Sequence, residues 1–350
     1  MNFTTEDYLN YDEMKQLIES EYTHDKATIV CNKLIKYCFV FNDELYVLQQ
    51  NKTYQVMLNL KASLVNSVSF IIQESHKQLC NKKKDRLVKK YSNNAVKSIL
   101  KNSNIETYYP QLLIRLTKQN VVFNITEGEI HFNNGYMDIK TKTFKPRTLS
   151  HFITKYIQRD YKPSSDNQRI SVLKHVKKVY PNKDDLDAIL FYLGSALSWK
   201  GTQDQFALFL LGLGSTGKSF IMELTKATME CYFVELGSDT FAGQCTNINK
   251  VLNTYKHDPQ ILYSWVNEPV DKKMNGPLFK VWVDGNLQST LLYKDGQYNF
   301  KHHSRCITTA NTMPQIIVES GTTRRIVSYT HQSSFVDNEN LVDKSKNVFY

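Results

Sequence analysis

The sequence has six cysteines, Cys31, Cys38, Cys80, Cys231, Cys245 and Cys306, and none stands in C-x-x-C spacing or has histidines at zinc-site intervals. A zinc-ribbon or disulfide-scaffold reading is excluded, and reduced thiols in an intracellular compartment are expected. An apolar leader is also missing. The opening MNFTTEDYLNYDEM is acidic and has no h-region, so no signal peptide is expected. The longest apolar runs fall far short of a bilayer span, which predicts a soluble chain with no membrane partner. Internal repeats and low-complexity tracts are absent too, which excludes solenoids and propellers.

What is present begins with charge. Lys and Arg outnumber Asp and Glu by 44 to 34, a formal net charge of +10 over 350 residues. A basic excess favours a polyanionic partner without naming it, and the length suffices for two domains with sizeable cores. Lys82, Lys83, Lys84, Arg86, Lys89 and Lys90 form a run around Asp85. It reads either as a phosphate-backbone contact or as an exposed helix face.

The stretch that organises the rest is Phe206 to Phe220, FALFLLGLGSTGKSF. Phe206 to Leu211 are consecutively apolar, long enough for a buried strand and too short for a core helix. Gly212, Gly217, Lys218 and Ser219 then match G-x-x-x-x-G-K-[ST], the P-loop pattern. Its glycines let the backbone curl so that successive N–H groups point at the β-phosphate, with Gly214, Ser215 and Thr216 completing the cradle. Lys218 would reach the β- and γ-phosphates, and the Ser219 hydroxyl would ligate Mg²⁺. Ile221, Leu224, Ala227 and Thr228 follow at helical spacing, so a helix N-terminus faces the anion. The implied ligands are ATP and Mg²⁺.

A P-loop needs a carboxylate on a neighbouring strand. Gln260 to Val266 is an apolar strand ending in Asn267-Glu268-Pro269, which makes Glu268 the candidate acid and magnesium ligand. The alternative is a strand end capped by a surface Glu. Asn267 stands where many ATPases place a first acid, and it brings neither negative charge nor a base. Cys306 to Asn311 is a second strand ending in an amide that could hold the attacking water. Arg324 and Arg325 follow it, either as a finger for the phosphoryl transition state or as a surface ion pair. Between the two strands, Ser289 to Phe300 carries Asp295-Gly296 flanked by alternating residues, a hairpin signal. Lys294 stands at its tip, with Lys301 and His302 on the returning arm, positions suited to a nucleic-acid backbone. His302 and His303 as a metal pair would lack a third ligand.

Elsewhere, Tyr37 to Val40 and Glu44 to Leu48 flank Asn42-Asp43 as a hairpin, and Glu129 to Lys145 reads as a small β-unit. Lys162-Pro163-Ser164-Ser165-Asp166 is the linker candidate. Alternating strands and helices beyond it predict a three-layer α/β core.

This order of parts resembles the superfamily 3 helicases. The local wording is similar to the helicase half of the helicase-primases of large DNA viruses, phages and plasmids, poxvirus-type included. Phe132-Asn133-Asn134-Gly135-Tyr136-Met137-Asp138 resembles that family's NG-x-x-D segment, Ile157 to Tyr161 its DY element, and Asn311-Thr312-Met313-Pro314 its N-x-x-P. Departures are Thr216 before the Gly-Lys-Ser, Asn267 in place of an acid, and Asp284-Gly285-Asn286 where a Gly-rich motif is usual. The resemblance implies an AAA+-like P-loop ATPase core over residues 171–335. A mostly helical α+β domain over 1–170, helicase-primase-like from about 120, would precede it, and a tail at 336–350 would follow. It implies Lys218, Ser219, Glu268, Asn311 and Arg324 or Arg325 in catalysis, the arginine acting on a neighbouring subunit. It also implies a hexameric ring with Lys294 on a pore hairpin and single-stranded DNA, ahead of RNA, as the partner. A viral member would work in host cytoplasm or nucleus, beside a primase or polymerase, since the first 120 residues carry no paired-acid primase motif. Alternatives are an RNA-virus-type ATPase or a nucleotide-binding scaffold with little hydrolysis.

Overall fold

The computed structural model describes residues 8–81, 96, 98–101, 104, 106–124, 127–241, 254–255, 258–270, 274–290, 297–315 and 320–350. Contacts divide the chain into two compact units, Met1–Phe123 with Arg147–Thr154, and Asn124–Pro146 with Lys155–Tyr350.

In the first unit, helices Tyr11–Glu19, Thr23–Leu34, Leu60–Asn81 and Tyr109–Leu116 accompany an antiparallel sheet of β1 (Cys38–Phe41), β2 (Glu44–Leu48) and β3 (Tyr54–Met57). The first helix starts where the sequence supplies a capping box. Asn10 Oδ1 accepts from Glu13 N at 2.9 Å and Glu13 Oε2 from Asn10 N at 2.8 Å, satisfying two orphan donors. Asn42 and Asp43 turn β1 into β2 with φ of 48° and 60°, the left-handed pair that a tight hairpin needs. Leu17, Leu34, Leu45, Leu64 and Ile72 form the centre of this unit's core. Phe39, Tyr46 and Tyr54 build a separate aromatic cluster, with Phe123 and Phe152 packed against it.

The second unit opens with an antiparallel meander of β4 (Glu129–Phe132), β5 (Gly135–Asp138) and β6 (Thr143–Lys145). Helix Asp166–Val179 follows, capped by Ser165 and Gln168, then helix Lys183–Ser195. The main sheet contains β7 (Ala207–Leu211), β8 (Phe233–Leu236), β9 (Tyr263–Asn267), β12 (Arg305–Ala310) and β13 (Ile326–Thr330). A hairpin of β10 (Asn286–Thr290) and β11 (Gln297–Lys301) precedes β12. The main sheet is five-stranded in the order β13-β7-β12-β9-β8, and every neighbouring pair is parallel.

Alternation along β7 explains the layers. Leu208 and Leu210 point to one face, with Val176, Ile189, Ile221 and Met222 of the flanking helices. Ala207 and Phe209 point to the other, with Phe279 and Trp282 of helix Gly276–Asp284. A parallel sheet covered on both faces needs such near-continuous apolar strands, and the expected three-layer α/β arrangement is present.

The domain boundary expected near residue 170 is not where the contacts divide the chain. Ile130 and Ile157 share a core with Val176, Leu208 and Trp265, so the β4–β6 meander belongs with the parallel sheet. The expected tail is also structured. Ser334–Phe335 (β14) pairs with Val348–Phe349 (β15), and Lys178 Nζ donates to Tyr350 O at 2.9 Å. No helix among the described residues is long and apolar enough to cross a membrane.

Candidate nucleotide-binding site

Parallel strands in register bring three chain segments to one edge of the sheet. Leu211 pairs with Ala310, and Thr309 with Asn267. Gly212, Asn311 and Glu268, the residues next after β7, β12 and β9, therefore stand side by side at the carboxyl end of the sheet, where open α/β folds bind ligands. Two cross-strand bonds fix them: Gly212 N donates to Ala310 O at 3.2 Å and Glu268 N to Thr309 O at 2.9 Å.

The Gly212–Ser219 loop curls because of two glycines. Gly217, at φ 87°, caps helix Lys218–Met229. A Cβ there would lie 2.8 Å from one Val179 methyl carbon and 2.9 Å from the other. Gly212 has φ 148°, and its Cβ would meet Thr216 Oγ1 at 3.1 Å and His331 Cβ at 3.3 Å. Thr216 Oγ1 donates to Leu213 O at 3.0 Å and tightens the turn. Gly214 and Ser215 lie exposed on the crest, and Ser219 is exposed at the second position of the helix.

Lys218 is buried, 6% exposed. Its Nζ donates to Gly212 O, to Leu213 O at 2.8 Å and to Asn311 Oδ1 at 3.2 Å. Burial lowers the pKa of this ammonium, and the Glu268 carboxylate works against that shift. Glu268 itself is exposed and sits at φ 45°. The amide of Asn267 is tied back into the sheet: Trp265 Nε1 donates to Thr309 Oγ1 at 2.8 Å, which donates to Asn267 Oδ1 at 2.9 Å.

His331, which the sequence reading passed over, lies behind the loop. Its N donates to Leu211 O at 2.8 Å, and Nδ1 is 3.1 Å from the same oxygen. Burial pushes this imidazole down to about 4, opposed by the Leu211 contact and aided by Lys218. Phe335 was missed as well; its N donates to Ser215 O at 2.7 Å. Nothing in local sequence pattern marks either residue, because both reach the loop through β13 and the pairing that follows it.

Arg324 and Arg325 stand at the opposite edge. Ile326 pairs with Ala207, and Arg325 O accepts from Ala207 N at 2.7 Å, so both arginines flank the amino end of β7. Five residues of strand separate that end from Gly212, about 16 Å at ~3.3 Å per residue. The Arg325 guanidinium forks onto Asp284, with Nε 2.8 Å from Oδ1 and Nη2 2.7 Å from Oδ2. Arg324 is exposed, its Nη2 3.4 Å from Gln205 Oε1.

The hairpin residues divide. Lys294, with Asp295 and Gly296, lies outside the described residues, as does the basic run at Lys82 to Lys90. Lys301 is exposed at the end of β11. His302, expected to face nucleic acid, is instead 3% exposed. Its Nε2 is 2.7 Å from Trp282 O, and its ring stacks on Tyr255 at 4.5 Å. Burial holds its pKa down at about 4, so it is a neutral core residue. Among the described residues no cluster of His, Cys, Asp and Glu could hold a metal ion by itself.

No family model matches the chain, and no curated protein matches it. Among solved structures, the A form apo structure of the NrS-1 C-terminal region matches at 13% identity and a TM-score of 0.47, over 88% of this chain and 61% of that one. The apo structure of NrS-1 region 305–718 matches at 13% and 0.45, over 94% and 66%. An A form apo structure of residues 305–718 matches at 17% and 0.37, over 50% and 40%. The chain thus spans 40 to 66% of the length of these structures.

Proposed function

We propose that this chain is an ATPase of the superfamily 3 helicase type that drives a ring of its own copies along single-stranded DNA during replication. The observation that carries the reading is the alignment of the Gly212–Ser219 loop, Asn311 and Glu268 on three adjacent parallel strands, with Lys218 bonded to Asn311.

The residues present fit a nucleoside triphosphate with magnesium. The loop keeps its curl because side chains at Gly212 and Gly217 would collide with Thr216 and His331 or with Val179 and Phe335, and it leads into the exposed Ser219 hydroxyl and the N-terminus of a 12-residue helix. Ser219 and Glu268 would hold Mg²⁺, which supplies charge neutralisation at the β- and γ-phosphates. Lys218 exchanges its loop carbonyls for phosphate oxygens, a stronger charge-assisted set. Asn311 orients water through its amide, and Glu268 draws the proton from it. Arg324, exposed at the far edge, would serve a neighbouring copy's site, in a ring that the resemblance makes a hexamer. A primase or polymerase would work beside it.

The deciding experiment is ATP hydrolysis with and without single-stranded DNA and RNA, with Lys218→Ala as control. Turnover that DNA stimulates more than RNA supports the reading; stimulation by RNA alone favours an RNA-virus-type ATPase. A second reading has its own observation. Asn267 carries no charge and its amide is engaged by Thr309, which leaves Glu268 as the acid at the end of β9 among the described residues. ATP binding without turnover would make the chain a nucleotide-dependent scaffold.

A further inference from the structure

We propose that the cavity beside the Gly212–Ser219 loop takes the nucleobase of the bound nucleotide, so that residues 335–350 belong to the nucleotide site. This rests on the nucleotide reading above. The cavity holds about 380 Å³, toward the lower end of the roughly 300–1,000 Å³ typical of small-molecule sites. Ser215 and Gly217 of the loop form one wall. Val179, Phe220, Phe335 and Tyr350 bring apolar and aromatic surface, beside His175 and Lys178. A ligand that reaches from the loop into this space must be anionic at one end and flat and apolar at the other. A nucleoside triphosphate has that form, and aromatic walls suit a base because every base has a π-face.

The walls are built onto the loop. Phe335 N donates to Ser215 O at 2.7 Å, and the Phe335 ring packs on Phe349 with centroids 5.9 Å apart. A Cβ on Gly217 would also approach Phe335 to 3.2 Å. The glycine that lets the loop curl is thus the same one that lets Val179 and Phe335 close against it. Lys178, a further lining residue, donates to Tyr350 O at 2.9 Å and holds the end of that segment in place. Phe220 is 43% exposed and Tyr350 60%, and a base in the cavity would cover both rings.

The test compares ATP with inorganic tripolyphosphate, which presents phosphates without a base, by calorimetry on the full chain with Mg²⁺. Wild type is expected to bind ATP about tenfold or more tightly than tripolyphosphate. Phe335→Ala should weaken ATP about fivefold or more and leave tripolyphosphate within about twofold. Phe220→Ala, at an exposed position on which packing depends little, should do the same. Equal wild-type affinity for the two ligands, or unchanged ATP affinity in both variants, overturns the base site and leaves the phosphate loop standing. Parallel loss of both ligands in both variants also overturns it, because the damage then lies in the loop. If neither ligand binds wild type, the nucleotide reading falls and the base site falls with it.

Discussion

Lys218 Nζ bonds to Asn311 Oδ1 at 3.2 Å, joining the loop after β7 to the end of β12. The ammonium is buried, and its partners are two loop carbonyls and this amide, so its charge is held by dipoles, with the Glu268 carboxylate a further favourable field. Replacing Lys218 by Ala removes a desolvated charge along with three hydrogen bonds. Hydrolysis should fall below about a tenth of wild type, while the thermal midpoint stays level or rises. A mutant that keeps most of its turnover would remove Lys218 from the phosphoryl-transfer role.

Asn311→Ala and Glu268→Gln separate positioning from proton transfer. Each should leave nucleotide binding within about threefold and lower turnover by about 10²-fold or more, the scale of a lost acid–base or electrostatic group. Asn267→Asp should raise turnover if the missing first acid limits the wild type. Normal hydrolysis by Glu268→Gln would show that the acid is elsewhere.

The two arginines should behave differently. Arg325→Ala breaks a fork in which the arginine is 8% and Asp284 24% exposed. Its cost should be about 2–3 kcal/mol, below the roughly 3–5 of a fully buried pair, read as a lower denaturation midpoint. Arg324→Ala should leave stability within about 0.5 kcal/mol. In mixed rings it should depress wild-type activity more steeply than its share of subunits. A linear fall in rings shown to exchange would assign Arg324 to its own subunit or to the surface.

Much of this site was legible in sequence because its residues follow buried strands directly. Apolar runs ending in Gly212, Glu268 and Asn311 mark both the strand and the residue that leaves it, and parallel pairing then aligns all three. The hairpin at Asn42-Asp43 was legible for a similar reason, since its turn chemistry is local. His302 was misread because alternation along β11 does not reveal that the chain dives into the core after Lys301. The meander at β4–β6 was expected with the residues before it because a Pro/Ser linker signal at 162–166 is local, whereas the core that Ile130 shares with Leu208 is not. His331 and Phe335 gave no signal, since their approach to the loop depends on strand order alone.

Acid should destabilise the second unit. His302 and His331 are both held at about 4 by burial, below the ordinary value of about 6.5. Between those values the unfolded chain binds protons that the folded chain does not, so stability is intact above about pH 6.5 and falls as pH drops toward 4. Each histidine contributes a limiting slope of about 1.4 kcal/mol per pH unit. His302→Asn should flatten the decline between pH 6 and 5, measured by urea denaturation. An unchanged slope would mean that His302 takes up its proton without unfolding.

The β10–β11 hairpin separates a motor from a scaffold. Its two strands pair from Asn286–Lys301 to Thr290–Gln297, and Lys294 lies in the six-residue link between Thr290 and Gln297. A cation there would hold successive phosphates in a ring pore, through contacts that read no sequence. Lys294→Ala should therefore weaken all single strands about equally and reduce the salt dependence of binding, because fewer counterions are released. Lys301→Ala, at the exposed root of the arm, should have a smaller effect of the same kind. Basal ATPase should survive in both, since the phosphate loop belongs to a different segment of the chain, while stimulation by DNA is lost in Lys294→Ala. If that variant binds and responds to single strands as wild type does, the hairpin has a structural role and the basic run at Lys82 to Lys90 becomes the next segment to test.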